Sequence, residues 1–174
     1  LIPANTLLAS LQVELVDRPG RERVLRDRLE EVMPWFNFIF IDCPPSLNLL
    51  TINALTAATH VIIPVQTHYL SLDGMRELFK TIQAVRSEFN PQLEIRGILP
   101  TLFDRRTRMN RAMLDTIRQY FKSQVFETAI RLSSPLTECP MLGQPVSRYA
   151  PQSRGAEDYR RLADRKINLF TDFL

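Results

Sequence analysis

Two apolar runs, Phe38-Ile39-Phe40-Ile41 and His60-Val61-Ile62-Ile63-Pro64-Val65, constrain this chain more than any other feature. A strand apolar at nearly every position, rather than at alternate ones, belongs in a sheet covered on both faces. The segments around the runs are helical in period. Val24, Leu25, Leu29 and Val32 share one face of a helix over 21–33, and Leu49, Leu50, Ile52 and Leu55 mark a second within 46–59. Ser71 is placed to cap a third, in which Met75, Leu78, Phe79, Ile82, Val85 and Phe89 recur at helical spacing. Asn90-Pro91 ends it, because the residue before proline is pushed out of the α region.

The alternation continues. Residues 95–103 predict a third strand, and Asn110 is placed to cap a helix carrying Met113, Leu114, Ile117, Tyr120 and Phe121 on its apolar face. Val125 to Ile130 predicts a short strand, and residues 131–152 a proline-punctuated connection. A last helix starts near Ser153 and carries Tyr159, Leu162, Ala163 and Phe170. Strands alternating with helices imply an α/β fold, a parallel sheet flanked by helices on both faces, in a single domain over 1–174. Such sheets bind ligands beyond the C-terminal ends of their strands. Chemistry is therefore expected in the residues after Ile41, Val65 and Phe103.

Composition narrows the function classes. The chain of 174 residues is 45% hydrophobic and 24% charged, as in ordinary globular proteins. No apolar run approaches the roughly 20 residues that cross a bilayer, and no basic segment precedes an apolar one at the start. Leu1 is not an initiator Met, so the natural start is expected upstream. Cys43 and Cys139 form neither a disulfide framework nor a metal-ligand spacing, which fits a reducing cytoplasm. Cys43 is expected to be a small core residue at a buried strand end. Cys139 has no basic neighbour in sequence to activate it, and His60 and His68 form no ligand pair. Charge is uneven: residues 1–100 carry 9 basic and 11 acidic side chains, residues 101–174 carry 13 and 8. A basic C-terminal half points to a polyanionic partner or, equally, to an arginine-rich solvated surface paired with Asp158 and Asp164.

Asp42 follows the first apolar run and leads into Cys43-Pro44-Pro45-Ser46. An acid at that position either helps hold Mg²⁺ at the phosphates of a nucleotide or caps the following helix. The double proline fixes a rigid, extended exit from the strand.

Together with the helical segment after it, this stretch resembles the Walker B and switch II region of ParA/Soj partition ATPases. It reads Phe40-Ile41-Asp42-Cys43-Pro44-Pro45-Ser46, then Leu49-Leu50-Thr51-Ile52-Asn53-Ala54-Leu55. Ile63-Pro64-Val65-Gln66, Thr101-Leu102-Phe103-Asp104-Arg105-Arg106-Thr107 and Tyr149-Ala150-Pro151-Gln152-Ser153-Arg154-Gly155-Ala156-Glu157 resemble later segments of that family, in order. Ile2-Pro3-Ala4-Asn5 with Leu8-Ala9 resembles the stretch before its Walker B strand.

The resemblance implies a P-loop NTPase fold of the deviant-Walker (SIMIBI) class, truncated at its N-terminus. It implies ATP and Mg²⁺ as cofactors, ATP-driven homodimerisation, DNA binding without sequence preference, a ParB-like partner that stimulates hydrolysis, and a cytoplasmic, nucleoid-associated protein. Asp42 would organise the Mg²⁺, through water; Pro44, Pro45 and the rest of the loop to Asn48 would act as a phosphate-sensing switch. Asp104 matches a base-proximal segment, although a turn or helix cap explains it too. Arg106 matches a family position implicated in DNA binding, among Arg105, Arg108 and Arg111. A second family DNA-contact arginine aligns with Pro135, so that contact is either lost or moved to Arg131.

Departures are equally specific. None of Gly20, Gly74, Gly97, Gly143 and Gly155 is followed by Lys, so no Gly-x-x-x-x-Gly-Lys-[Ser/Thr] loop is present. The family's water-positioning acid would also lie upstream, and the chain alone is expected not to hydrolyse ATP. Ile130-Arg131-Leu132-Ser133 stands where the family often has Ile-Pro-Arg-Asn, and Ala150 where it tends to have Asp. Leu162, Ile167, Phe170 and Phe173 with Arg165 and Lys166 also fit a membrane-surface helix, as in MinD-type relatives. Packing of that helix on the sheet competes with this, and a non-catalytic, partner-binding protein is a third reading.

Overall fold

The computed structural model describes residues 2–5, 7–67 and 72–167, without the side chains of 9, 72, 73 and 165–167. Ser71, His68, Phe170 and Phe173, and the side chains of Arg165, Lys166 and Ile167, lie outside what is described.

Two compact units divide the chain: Leu1–Val61 with Ser71–Glu94, and Ile62–Leu70 with Ile95–Leu174. The first contains α1 (Leu7–Glu14), α2 (Val24–Leu29), α3 (Leu49–Ala57) and α4 (Leu72–Glu88). Helix α3 packs against α2, against the 3-10 turn Arg21–Arg23 that precedes it, and against α4. Leu15, Ala54, Leu55, Ile82, Val85 and Leu93 are buried here.

Asparagines join these helices. Asn48 caps α3, its Oδ1 accepting the N–H groups of Leu50 (3.1 Å) and Thr51 (3.2 Å). Asn53 is buried within α3; its amide donates to the Arg21 carbonyl at 2.8 Å and accepts from the Leu25 N–H at 3.1 Å. Asn90, just past α4, donates to the carbonyls of Leu55 (2.9 Å) and Ala58 (2.7 Å), satisfying the C-terminal end of α3.

The sheet pairs β1 (His60–Gln66) with β2 (Glu94–Thr101). Thr59 bonds Glu94 and Thr67 bonds Thr101, so both strands advance together and the pair is parallel. The fold is α/β, a parallel sheet flanked by helices, as the alternating pattern predicts. In β2, Gly97 to Pro100 are buried consecutively, the mark of a strand covered on both faces. β1 departs from that expectation: Ile63, Val65 and Thr67 are buried while Ile62, Pro64 and Gln66 are exposed. Pro64, which cannot donate to a ladder, is tolerated on a strand paired here on one edge.

Two other expected strands do not form. Phe38 to Ile41 is not in strand conformation, and Phe38, Ile39 and Phe40 are exposed. An apolar run becomes a strand only when a neighbour takes its backbone groups. Val125 to Ile130 lies parallel to the end of β2 through bridges Ile98 with Val125 and Phe103 with Arg131. Phe126 donates to the Ile98 carbonyl and Ile130 to that of Pro100, so four steps on one side span two on the other. That excess interrupts the ladder as a bulge does.

The second unit continues with α5 (Arg108–Phe121), α6 (Ser134–Glu138), α7 (Val146–Tyr149) and α8 (Arg154–Ile167). Its core includes Leu99, Phe126 and Ile130, with Leu136 and Leu162 against them, and Cys139, Val146 and Ala156, with Leu136 and Tyr149. Gly155, buried at the start of α8, lets α6 approach: a Cβ there would lie 2.6 Å from Leu136 Cγ. Gly155→Ala should therefore cost about 1–3 kcal/mol of overpacking, more than the roughly 1 kcal/mol of helix propensity it gains. Denaturant midpoints measure this, and in a Leu136→Ala background the penalty should disappear.

Candidate functional site

The loop after Ile41 begins with Asp42, exposed, whose carboxylate makes no hydrogen bond or ion pair among the described residues. Pro44 and Pro45 are exposed as well, and the far end of the loop is tied down. Asn48 Nδ2 donates to Ser46 Oγ at 3.0 Å, and Thr51 Oγ1 donates to the Ser46 carbonyl at 2.6 Å. The loop is thus anchored to the first turn of α3 at one end and carries an uncommitted carboxylate at the other. Asp42 does not cap α3; Asn48 does.

Cys43 departs from the core position expected of it. It is exposed, and its Sγ lies 3.8 Å from the Ile41 carbonyl. Local crowding of the sulfur, followed by the charge of Asp42, pushes the thiol pKa up, away from a reactive thiolate.

In the second unit, the turn after β2 is built on a buried polar network. Thr67 and Asn110 are both buried, with Thr67 Oγ1 donating to Asn110 Oδ1 at 2.7 Å. The same oxygen accepts the backbone N–H of Asp104 at 3.2 Å. Between them the backbone of Leu102 is left-handed, with φ 52°, a conformation that costs a non-glycine residue and persists only where neighbours hold it. Asn110 is therefore not the cap of α5. Thr107 is, its hydroxyl accepting the Asn110 N–H at 3.3 Å.

Asp104 sits on this turn with its side chain 16% exposed, beside Arg106 at 81%. Arg106 Nε donates to Asp104 Oδ1 at 3.0 Å and Nη2 to Oδ2 at 2.9 Å; its backbone N–H reaches Oδ1 at 3.0 Å. These bonds lower the Asp104 pKa from an ordinary 3.8 to about 2, the side-chain hydrogen bond from Arg106 contributing most. Arg105, Arg108 and Arg111 are exposed on the same turn and the start of α5. None of the three makes an ion pair among the described residues.

Arg131 behaves differently. It lies beside Phe103 at the same edge, yet its guanidinium turns into α8. Its Nη2 is 2.7 Å from both Asp158 Oδ1 and Glu157 Oε2, its Nε reaches both Asp158 oxygens, and its backbone N–H donates to Asp158 Oδ2 at 2.9 Å. Asp158 is 4% exposed. The carboxylates raise the arginine's pKa, and the Arg131 hydrogen bond leads the lowering of that of Glu157. Breaking such a buried pair strands a charge, so the Nε and Nη2 of Arg131 are committed to holding α8 in place. The alternative weighed from sequence, arginines paired with Asp158, describes it.

One free carboxylate suits Mg²⁺, which keeps most of its waters and shares its remaining positions with phosphates. No group of three or more His, Cys, Asp or Glu among the described residues could hold a metal by itself. No described helix is long and apolar enough to cross a membrane. The membrane-surface reading rests largely on side chains beyond 164, outside what is described.

A family profile described as an AAA domain matches residues 1–95. The chromosome partitioning protein ParA of Myxococcus xanthus is 43% identical over 162 residues, 93% of this chain and 57% of that protein. The sporulation initiation inhibitor protein Soj of Bacillus subtilis is 44% identical over 163 residues, 94% of this chain and 64% of that protein. Among solved structures, cobyrinic acid a,c-diamide synthase from Mycobacterium smegmatis, with bound ADP and magnesium, superposes with a TM-score of 0.84. It is 34% identical, over 100% of this chain and 64% of that one. Apo McdA from Cyanothece, 18% identical, shares the fold with a TM-score of 0.77 over 93% of this chain and 67% of its own. The chain thus spans 57–64% of the length of these two curated relatives.

The Thr67–Asn110–Asp104 network yields a direct test. Asn110→Ala removes the acceptor shared by a buried hydroxyl and a backbone N–H, and should cost about 1–3 kcal/mol. Asn110→Asp keeps the acceptor and should hold the Asp104 amide better protected in hydrogen exchange than Asn110→Ala does.

Proposed function

This chain belongs to the ParA/Soj family of partition ATPases, and from that premise we propose that it serves ATP-dependent DNA partition. In this reading it forms a nucleotide-driven homodimer that binds DNA irrespective of sequence and responds to a ParB-like partner, in a cytoplasm where it associates with the nucleoid. The observation that carries the reading is the uncommitted Asp42 carboxylate at the head of a proline-stiffened loop anchored by Asn48. Bound Mg·ATP would supply a phosphoanhydride and a cation that neutralises its charge.

Asp42 would hold the metal's water shell, and Pro44 and Pro45 limit how far that carboxylate can wander. Movement of the loop would reach α3 through Asn48 and Ser46. Arg105, Arg106 and Arg108 would meet phosphates, since a planar guanidinium grips two oxygens at once. Arg131 is left out of that set, because its Nε and Nη2 are committed to Glu157 and Asp158 on α8. Asp104 is left out of base recognition, because its carboxylate is given to Arg106.

Two measurements test this in a full-length protein carrying the chain. Asp42→Asn keeps the shape and removes the charge; it should weaken both Mg·ATP-dependent dimerisation, read by sedimentation, and ATP turnover. Parental dimerisation in that variant would make Asp42 a structural residue. For DNA, Arg105→Ala with Arg108→Ala should weaken two unrelated duplexes alike and flatten the salt dependence by about two phosphate contacts per engaged subunit. Arg76→Ala, on α4, should change neither.

A further inference from the structure

Of the four arginines around the turn after β2, Arg106 alone has its guanidinium in an ion pair among the described residues. The pairing is bidentate, Nε and Nη2 against the two oxygens of Asp104, the same fork by which arginine grips a phosphate. The two partners are unequally held. Asp104 is mostly covered, and its backbone N–H is fixed to Asn110, itself locked to Thr67. Arg106 stands in solvent on a long, rotatable stem. One partner is fixed and the other can leave.

Resting on the DNA reading above, we propose that Asp104 is a built-in stand-in for phosphate, occupying the donor edge of Arg106 until a polyanion displaces it. The basic surface is then partly self-masked: Arg105, Arg108 and Arg111 are available at first encounter, and Arg106 joins when the local phosphate density exceeds what one carboxylate offers. Exposed pairs contribute little, so the mask yields to DNA and sets a threshold. Its function is selectivity for extended polyanions over isolated anions, since only a row of phosphates brings neighbouring arginines to bear together. The depressed pKa of Asp104 keeps the mask charged throughout the physiological range.

Asp104→Asn is the decisive variant. It keeps an oxygen for the Arg106 backbone N–H, so the turn survives, and it removes the charge that holds the guanidinium. Affinity for two unrelated duplexes is measured across a salt series at saturating Mg·ATP, in a full-length protein carrying the chain. Asp104→Asn should tighten both alike by about two- to five-fold and steepen the salt dependence by about one contact.

In an Arg106→Ala background the same change should have no effect. Asp115→Asn, an exposed carboxylate on α5 with the same charge change, should act equally in both backgrounds. A gain from Asp104→Asn that persists without Arg106 would reduce the effect to general electrostatics and overturn the mask. So would no gain in a protein whose DNA binding is lost with Arg105 and Arg108. If replacing those two arginines left binding unchanged, the DNA reading itself would fall.

Discussion

The hydrogen bond from Thr67 to Asn110 fixes the turn between β2 and α5. Both residues are buried, and a buried hydroxyl or amide without a partner is expensive. Each therefore fixes the other. Thr67 extends β1, and Asn110 belongs to the first turn of α5, so the helix starts at one position relative to the strand end. The left-handed backbone at Leu102 and the direction of Asp104 follow from that constraint, because the Asn110 oxygen also takes the Asp104 N–H. The charged surface beyond is aimed by a neutral joint beneath it.

The N-terminal unit uses the same side-chain chemistry on helix termini. Asn48 supplies an acceptor to the start of α3, and Asn90 supplies donors to its end. Asn53 bridges its middle to the turn before α2. An amide serves all three roles because it donates and accepts without carrying charge into a core. Helix α3 is short, nine residues, and gains its definition from these ends. The loop carrying Asp42 therefore inherits a fixed point at Asn48.

Sequence periodicity made β1, β2 and the helices α3, α4, α5 and α8 legible, because their apolar spacing reflects contacts within or beside each element. It failed where the outcome depends on a distant partner. Phe38 to Ile41 is as apolar as β2, but only a neighbouring strand makes a strand of it. Val125 to Ile130 has its neighbour, yet the surplus residues that spoil the ladder have no compositional mark. Asn110 carried a cap signal at the right end of the right helix, three residues from Thr107, which takes the role. Arg131 looked like any other arginine of a basic half until Asp158, 27 positions on, claimed it. The Asp104–Arg106 pair, by contrast, is local, and its Asx-type turn is what an aspartate two residues before its donor tends to make.

Trp35, the chain's single tryptophan, stands 82% exposed three residues before the apolar run Phe38 to Ile41, with Phe36 and Phe40 also largely in water. An exposed apolar stretch of this kind invites cover by another surface, so its covering governs colloidal behaviour as well as shape. The indole lies beside that event and nowhere else. Its emission should shift to the blue when the run is covered and hold a solvent-exposed maximum when it is bare. The sequence thereby carries its own optical gauge of occupancy, readable without a label and separable from the tyrosines by excitation at the red edge of the absorption band.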